Sequence, residues 1–198
     1  MTKDPRNLNN IIYSSTFSSF CQEVSRFRLA HLIRANDISV EKLSKGPGAE
    51  TKDNWMVVVF AQSNCFRLTI KIHYCDADAR NFANRCRGGA PSELSITAIN
   101  DFMREYGNQL IGAVKQSIED QSGYAKTSYP LVTRGQDAHF FAPNPASAAF
   151  EDHWQLQTQD QRIQCSIILE FLDRNFMKEI FLPAFFDLDS IGDVEFFE

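Results

Sequence analysis

Apolar side chains recur every three or four residues in two long stretches of the chain, residues 16–34 and about Ser95–Asp120. This spacing places them on one side of a helix and predicts two long helices. The segment before the first of them, residues 1–15, is polar and is expected to be loose. A shorter helix with a narrow apolar side is predicted over residues 76–86, where the following Gly-Gly and Pro end it.

Two hairpins are predicted from a different pattern. Residues Trp55–Ala61 are almost all apolar, and residues Phe66–Tyr74 alternate between apolar and polar side chains. The few residues between these segments suit a turn, so the two should pair as antiparallel strands. Residues Trp154–Gln159 and Arg162–Phe171 have a similar character and predict a second hairpin.

The remaining segments are less regular. A strand is predicted at about Lys126–Thr133, where Pro130 interrupts the hydrogen-bond ladder and indicates a sheet edge or a bulge. Residues 44–54 contain Gly-Pro-Gly and are predicted to form a loop, and residues 136–153, with two prolines, are predicted to be irregular. A last helix is predicted over Asp173–Phe181.

Because hairpins dominate the order of elements, the predicted fold class is α+β, with a mostly antiparallel sheet and long helices packed on one face. The chain divides into residues 1–50, an N-terminal extension with a helix, residues 51–175, the main domain, and residues 176–198, an acidic aromatic tail. This tail could cover the core as a strand or coil, or it could dock on a partner.

Composition narrows the class of protein. Of the 198 residues, 43% are hydrophobic and 23% are charged, and the net charge of −5 gives no overall attraction to nucleic acid. No signal peptide is expected, because no basic segment is followed by an apolar run, and the longest apolar runs are too short to span a membrane. The five cysteines form no Cys-x-x-Cys pair, so reduced thiols in a cytoplasmic protein are expected.

No metal or cofactor of its own is predicted for this chain. Its four histidines are scattered and lack the spacing of a helical zinc motif, and neither a P-loop nor a nucleophile elbow occurs. Along the predicted strand Phe66–Tyr74, the side chains of Arg67, Lys71 and His73 share one face. That face is expected to be a solvated side of the sheet.

The long central helix has an outer face that burial does not explain. Its apolar positions form one stripe, whereas Asp101, Glu105, Asn108 and Gly112 fall on the opposite side. Glu105 and Asn108 are three residues apart and are therefore neighbours. Glycine in a helix costs about 1 kcal/mol relative to alanine, but Gly112 leaves space beside this pair. Gly107, at the edge of the stripe, is expected to allow close packing on the sheet.

Spacing alone leaves two interpretations of this outer face open. A short E-x-x-N pattern arises by chance, and the surface could simply be solvated. The alternative is a site with one acid, one amide and a clear approach for another molecule.

The surrounding residues resemble the CheC/CheX/FliY family of chemotaxis phosphatases. That family has E-x-x-N on a helix, followed by apolar residues and a glycine; residues 105–112 read EYGNQLIG here, and Lys115 follows. The CheX branch adds a strand of the form S-x-P-x-x-x-x-G about fifteen residues later, and residues 128–135 read SYPLVTRG. The resemblance covers roughly residues 50–175.

The resemblance implies an enzyme that removes the phosphoryl group from the aspartate of a phosphorylated CheY-type response regulator. It implies that Asn108 holds the attacking water through its amide and that Glu105 pairs with a lysine near the regulator's phosphorylation site. Asp101, Gly112 and Lys115 are expected to contact the regulator, with Gly112 letting the helix lie close to it. Mg²⁺ would be held by the regulator's own acids.

One departure points to the single-site, CheX-like branch. CheC and FliY carry two E-x-x-N copies, whereas the first helix here has Arg26 where an asparagine would have to follow Glu23. CheX-like proteins form homodimers through their sheets, and an exposed strand edge near Pro130 is compatible with that. Two alternatives stay open: a non-catalytic module of this fold that binds a regulator or flagellar-switch component, and an unrelated α+β domain with a chance E-x-x-N.

Overall fold

The computed structural model describes residues 5–46, 55–88, 93–122, 124–143, 149–158 and 160–173. In chain order its helices are α1 (Pro5–Ile33), α2 (Asp76–Cys86), α3 (Ile96–Ser122) and a 3-10 helix (Gly135–Phe141). Its strands are β1 (Ser39–Lys42), β2 (Trp55–Gln62), β3 (Phe66–Tyr74), β4 (Lys126–Thr127), β5 (Leu131–Arg134), β6 (Ala149–Gln157) and β7 (Arg162–Phe171). Apart from Asp173, the predicted last helix and the acidic aromatic tail fall outside the described residues.

The seven strands form one antiparallel sheet. Its order is β1-β6-β7-β3-β2-β4, and β5 also pairs with β2, on the edge away from β3. The two predicted hairpins are β2–β3 and β6–β7, in which Val59 lies opposite Ile70 and Trp154 lies opposite Cys165. The predicted α+β fold class is confirmed.

The core lies between the helices and one face of this sheet. Along β3, every second residue from Phe66 to Tyr74 belongs to it, as expected when successive side chains point to opposite faces. α1 contributes Phe17 and Val24 to the same core, and β1 extends the sheet by pairing with β6. The first two elements of the chain are therefore packed together with the rest.

Two expectations about irregular segments are wrong. α1 begins at Pro5, so most of residues 1–15 is helical rather than loose. A helix that is anchored by packing can extend backwards through polar residues, because each added residue gains a backbone hydrogen bond at little further cost. Residues 136–153 are also more regular than expected, since they hold most of the 3-10 helix and the first part of β6.

The predicted strand at Lys126–Thr133 is split into β4 and β5 around Pro130. At the break, the backbone N–H of Ser128 donates to the carbonyl of Phe60 at 2.8 Å, and the N–H of Phe60 donates to Ser128 Oγ at 3.0 Å. A side-chain oxygen thus replaces a backbone acceptor where proline interrupts the ladder.

The second face of the sheet points away from the α-helices. The prediction that the face carrying Arg67, Lys71 and His73 is solvated is wrong. Lys71 and His73 are 7% and 2% exposed. The 3-10 helix lies against this face: Lys71 Nζ donates to the carbonyl of Ala138 at 3.2 Å, and the rings of Phe60 and Phe141 are 5.8 Å apart. Alternation along one strand shows which side chains share a face, but it does not show which later segment covers them.

Arg67 is the partly exposed member of the three side chains that were expected to be solvated. Its Nε donates to Glu170 Oε2 at 2.6 Å, and this bond raises the pKa of the guanidinium. The Glu170 side chain is only 2% exposed. A buried carboxylate is therefore paired at this end of the second face.

Candidate functional site

The outer face of α3 is built by the amphipathic pattern of its sequence. Ser95 caps the helix, because its Oγ accepts a hydrogen bond from the N–H of Ala98 at 3.2 Å. The apolar stripe is buried against the sheet and comprises Ile99, Met103, Tyr106, Leu110 and Val114. Asp101, Glu105 and Asn108 are exposed on the other side. The structure therefore brings the predicted acid and amide together on one accessible surface.

The two glycines of α3 have different surroundings. A Cβ at Gly107 would lie 3.1 Å from Val57 Cγ1 and 3.7 Å from Ile72 Cδ1, so the absent side chain lets the helix approach the sheet. A Cβ at Gly112 would meet nothing within 4 Å. The interpretation of Gly107 as a packing residue is confirmed, and Gly112 leaves open space on the surface.

Glu105 is held by a residue that the sequence analysis does not single out. Gln109 Nε2 donates to Glu105 Oε1 at 2.9 Å across one turn of the helix. The four-residue spacing of Glu105 and Gln109 could have predicted this bond, because side chains four residues apart on a helix are neighbours. The other Glu105 oxygen is not part of this bond, and the carboxylate stays on the exposed face.

Asp101 and Lys115 lie at opposite ends of this surface. Asp101 accepts an ion-pair hydrogen bond of 2.9 Å from Arg104, and its side chain is 63% exposed. Lys115 Nζ donates to the carbonyl of Ala125 at 3.3 Å and lies 5.4 Å from the centre of the Tyr124 ring. The lysine is therefore drawn toward the end of the helix rather than toward Glu105.

Below the surface, Tyr106 connects α3 to α1 and to the sheet. Its hydroxyl is 2.6 Å from Ser25 Oγ, which also accepts a 3.0 Å hydrogen bond from Trp154 Nε1. Burial raises the pKa of Tyr106, so this hydroxyl stays protonated. A neighbouring thiol, Cys165, has its pKa raised by burial to about 12. This network fixes the helix that carries Glu105.

On α1, Glu23 and Arg26 have the same three-residue spacing as Glu105 and Asn108 on α3, but they form an ion pair with each other. Arg26 Nη2 lies 2.7 Å from Glu23 Oε2, and a second bond of 2.9 Å runs from Arg26 Nε to the same oxygen. The carboxylate is thus bound within its own helix, where Glu105 is bound only by a neutral amide. The difference agrees with a single candidate site on α3.

Metal-binding, membrane-spanning and disulfide features can be assigned to the chain only where the described residues carry them. Within the described ranges, no group of three or more His, Cys, Asp or Glu side chains could hold a metal ion. In that part of the chain there is also no helix long and apolar enough to cross a membrane. All five cysteines are free, and Cys21 and Cys165 are buried.

No family model matches this sequence, and no curated protein matches it. Solved structures of CheX, CheC-like proteins and FliY share its fold. Borrelia burgdorferi CheX, solved in a CheX–CheY–BeF3–Mg²⁺ complex, is 12% identical with a TM-score of 0.57 over 78% of this chain and 97% of that chain. Thermotoga maritima FliY is 13% identical with a TM-score of 0.53 over 91% and 96%. FliM in a FliM–SpeE complex from H. pylori is 8% identical with a TM-score of 0.58 over 90% and 96%.

Proposed function

We propose that this chain is a phosphatase that hydrolyses the phosphoaspartate of a CheY-type response regulator in chemotaxis or related two-component signalling. One observation carries the proposal: Glu105 and Asn108 are exposed one turn apart on the outer face of α3, with open space at Gly112 on the next turn. An acid, an amide and a close approach are what hydrolysis of a partner's acyl phosphate requires from a second protein.

The chemistry follows from positioning. The amide oxygen of Asn108 accepts a hydrogen bond from a water molecule. This bond orients the water so that a lone pair of the water oxygen points at phosphorus. The water oxygen forms a bond to phosphorus while the bond to the aspartyl oxygen breaks in line with it. Inorganic phosphate takes the water proton, and the aspartate leaves as a carboxylate. Holding the reactants in this geometry supplies most of the acceleration.

Glu105 acts on the partner rather than on the water. Its carboxylate pairs with a lysine beside the regulator's phosphorylation site and so sets the register between the two proteins. Mg²⁺ is held by the regulator's own acids and neutralises the phosphoryl oxygens there. This chain supplies no cofactor of its own, and the Borrelia CheX complex, which contains CheY, BeF3 and Mg²⁺, fits this division.

The remaining predicted residues form the rim of the contact. Gly112 lets the regulator approach the helix backbone, and Asp101 lies exposed one turn before Glu105. Lys115 lies at the far end of this rim, where the Tyr124 ring and the Ala125 carbonyl hold its ammonium group. The chain works as a cytoplasmic homodimer, and the β5 edge, where Leu131 is 50% exposed, offers a surface for a second copy.

A non-catalytic module of the same fold is the second candidate. The likeness to FliM in complex with another protein, SpeE, favours it, because that complex has the fold in a binding role. In that case the outer face of α3, or another surface, binds a regulator or a flagellar-switch component without turnover.

The experiment is phosphate release from phosphorylated CheY-type regulators of the same organism, with wild type, Asn108→Ala and Glu105→Gln compared. The phosphatase proposal expects faster release with wild type, loss of that acceleration with Asn108→Ala, and weaker regulator binding with Glu105→Gln. Binding of a regulator without faster release would favour the non-catalytic module. Neither binding nor release with any regulator would overturn the phosphatase proposal and would restrict the second candidate to a module that binds a flagellar-switch component.

A further inference from the structure

The outer face of α3 continues beyond the pair formed by Glu105 and Asn108. Lys115 comes seven residues after Asn108, which is close to two full turns, so both lie on the same side of the helix. Along the helix axis the two residues are about 10 Å apart. Gly112 lies between them, and a Cβ there would meet nothing within 4 Å. The surface that carries the proposed site therefore extends, with a gap at Gly112, as far as Lys115.

The aromatic ring of Tyr124 lies at the end of this surface. Lys115 Nζ is 5.4 Å from the centre of the ring, and Tyr124 is 79% exposed. The next residue, Ala125, is 0% exposed, and its carbonyl accepts a 3.3 Å hydrogen bond from Lys115 Nζ. The ring of Tyr124 is thus exposed to solvent beside α3, next to a residue that belongs to the core.

An aromatic ring held in this way suits a contact with another protein. A cation over its face attracts the ring electrostatically, so part of the freedom of the Tyr124 side chain is already lost before a partner binds. Tyrosine also has only two side-chain torsions to order, which makes it a large contact at a low entropic cost. Tyrosine is one of the residue types that carry much of the binding energy at protein interfaces.

The position of Tyr124 fits the size of an ordinary interface. Each partner of a stable complex buries about 800 Å², which corresponds to a disc about 16 Å in radius. Lys115 is about 10 Å from Asn108 along the helix axis, and the Tyr124 ring is 5.4 Å from Lys115 Nζ. The ring therefore lies near the margin of such a disc when the disc is centred on Asn108.

We propose that Tyr124 is a binding residue for the response regulator, whose apolar surface packs on the exposed ring, and that Lys115 positions this ring. The inference rests on the proposed phosphatase function, because that function places the regulator on the outer face of α3. Glu105 then supplies a charged contact on one side of Asn108, and Tyr124 supplies an apolar contact on the other. Two contacts of different chemistry fix the direction in which the regulator lies along the helix. Tyr124 touches neither the water nor the phosphoryl group, so it affects affinity and not the chemical step.

A fluorescence titration with a BeF3-activated cognate regulator tests this contact in the full chain. With Tyr124→Ala, the dissociation constant should rise about tenfold, while the rate of phosphate release at saturation stays at the wild-type value. Phe140→Ala is the matched control, because Phe140 is 74% exposed in the 3-10 helix, on the opposite side of the sheet from α3. An unchanged dissociation constant with Tyr124→Ala, or an equal loss with Phe140→Ala, would overturn the proposal.

The positioning role of Lys115 is tested in two backgrounds. Lys115→Met removes the ammonium group and keeps an unbranched side chain, so the ring of Tyr124 is held less firmly and the dissociation constant should rise about twofold. In the Tyr124→Ala background the same replacement should have no further effect. An effect of equal size in both backgrounds would show that Lys115 does not act through the ring.

Chemical labelling tests the contact without any substitution. Tetranitromethane nitrates accessible tyrosine rings, and saturation with the BeF3-activated regulator should slow the nitration of Tyr124 at least threefold. Tyr129, which is 84% exposed at the sheet edge, should keep its rate and serves as the internal reference. Equal nitration of Tyr124 with and without the regulator would contradict the contact.

Two results separate this contact from the role of Asn108. If Asn108→Ala abolishes the acceleration of phosphate release while Tyr124→Ala binds the regulator like wild type, the phosphatase proposal stands and the binding role of Tyr124 is wrong. If wild type binds no regulator, the phosphatase proposal and the binding role of Tyr124 are both wrong.

Discussion

Gln109 Nε2 donates a 2.9 Å hydrogen bond to Glu105 Oε1 on the exposed face of α3. Gln109 Oε1 is buried without a partner, so the amide is oriented by this single bond. The carboxylate that the proposed mechanism uses for docking is therefore held before any partner arrives. An amide that holds a charge without neutralising it leaves the charge available for a lysine of the regulator.

Replacing Gln109 by Ala frees the Glu105 side chain. A pair of this spacing is worth about 0.2–0.5 kcal/mol, so the dissociation constant for a BeF3-activated regulator should rise about twofold, with the turnover rate unchanged. A fluorescence titration measures it. In the Glu105→Ala background the same replacement should have no further effect, and a twofold change there would show that Gln109 acts independently of Glu105.

The two glycines of α3 should respond differently to alanine. Gly112→Ala gains up to about 1 kcal/mol of helix propensity at no steric cost. Gly107→Ala brings a Cβ to 3.1 Å from Val57 Cγ1, on a stiff, fully buried side chain, and should therefore be the less stable variant by about 1 kcal/mol or more. Urea unfolding followed by circular dichroism gives both values. Equal gains in the two variants would be inconsistent with close packing at Gly107.

Tyr106→Phe removes the hydroxyl that joins α3 to Ser25 of α1 while keeping the ring. The buried Ser25 Oγ then loses a partner at 2.6 Å, and the free energy of unfolding should fall by about 1–2 kcal/mol. Tyr124→Phe is the matched control: Tyr124 is 79% exposed, and its change should stay within about 0.5 kcal/mol. Similar losses in both variants would mean that the hydroxyl network does not hold α3.

His73 should make stability depend on pH. Burial, with smaller contributions from Lys71 and His153, lowers its pKa from 6.5 to about 4 in the folded chain. Between these two values the unfolded chain binds a proton that the folded chain does not. The unfolding free energy therefore falls as the pH drops from about 6.5 to 4, by up to a few kcal/mol in total, and this contribution is constant above that window.

Urea midpoints measured from pH 7.5 to 4 check this dependence in wild type, His73→Gln and His139→Gln. The His73 variant should lose much of the decline, and the exposed His139 variant should keep it. A wild-type profile no steeper than that of His73→Gln would show that His73 titrates normally.

Much of this fold follows from periodicity alone. The runs that became β2, β3, β7 and α3 are long, regular and flanked by breakers, so local pattern and final structure agree. β1 has only four residues, three of them exposed, and its pairing with β6 is a contact over more than a hundred residues. No local pattern encodes such a contact.

The site was predictable to a similar extent. Helical spacing places Glu105 and Asn108 on one exposed face, and the edge position of Gly107 points to the sheet. Gln109 was missed because an exposed glutamine has no distinctive pattern until its partner is known. The burial of Lys71 and His73 was missed because it depends on residues that lie far along the chain.

The role of Asn108 is the central claim, and single-turnover dephosphorylation of a cognate phosphorylated regulator tests it most directly. Asn108→Ala is compared with Asn81→Ala, which removes another exposed asparagine, on α2. Loss of water positioning should slow phosphate release about 100-fold with Asn108→Ala, while regulator binding and the Asn81→Ala rate stay at wild-type values. Wild-type release with Asn108→Ala would contradict the account.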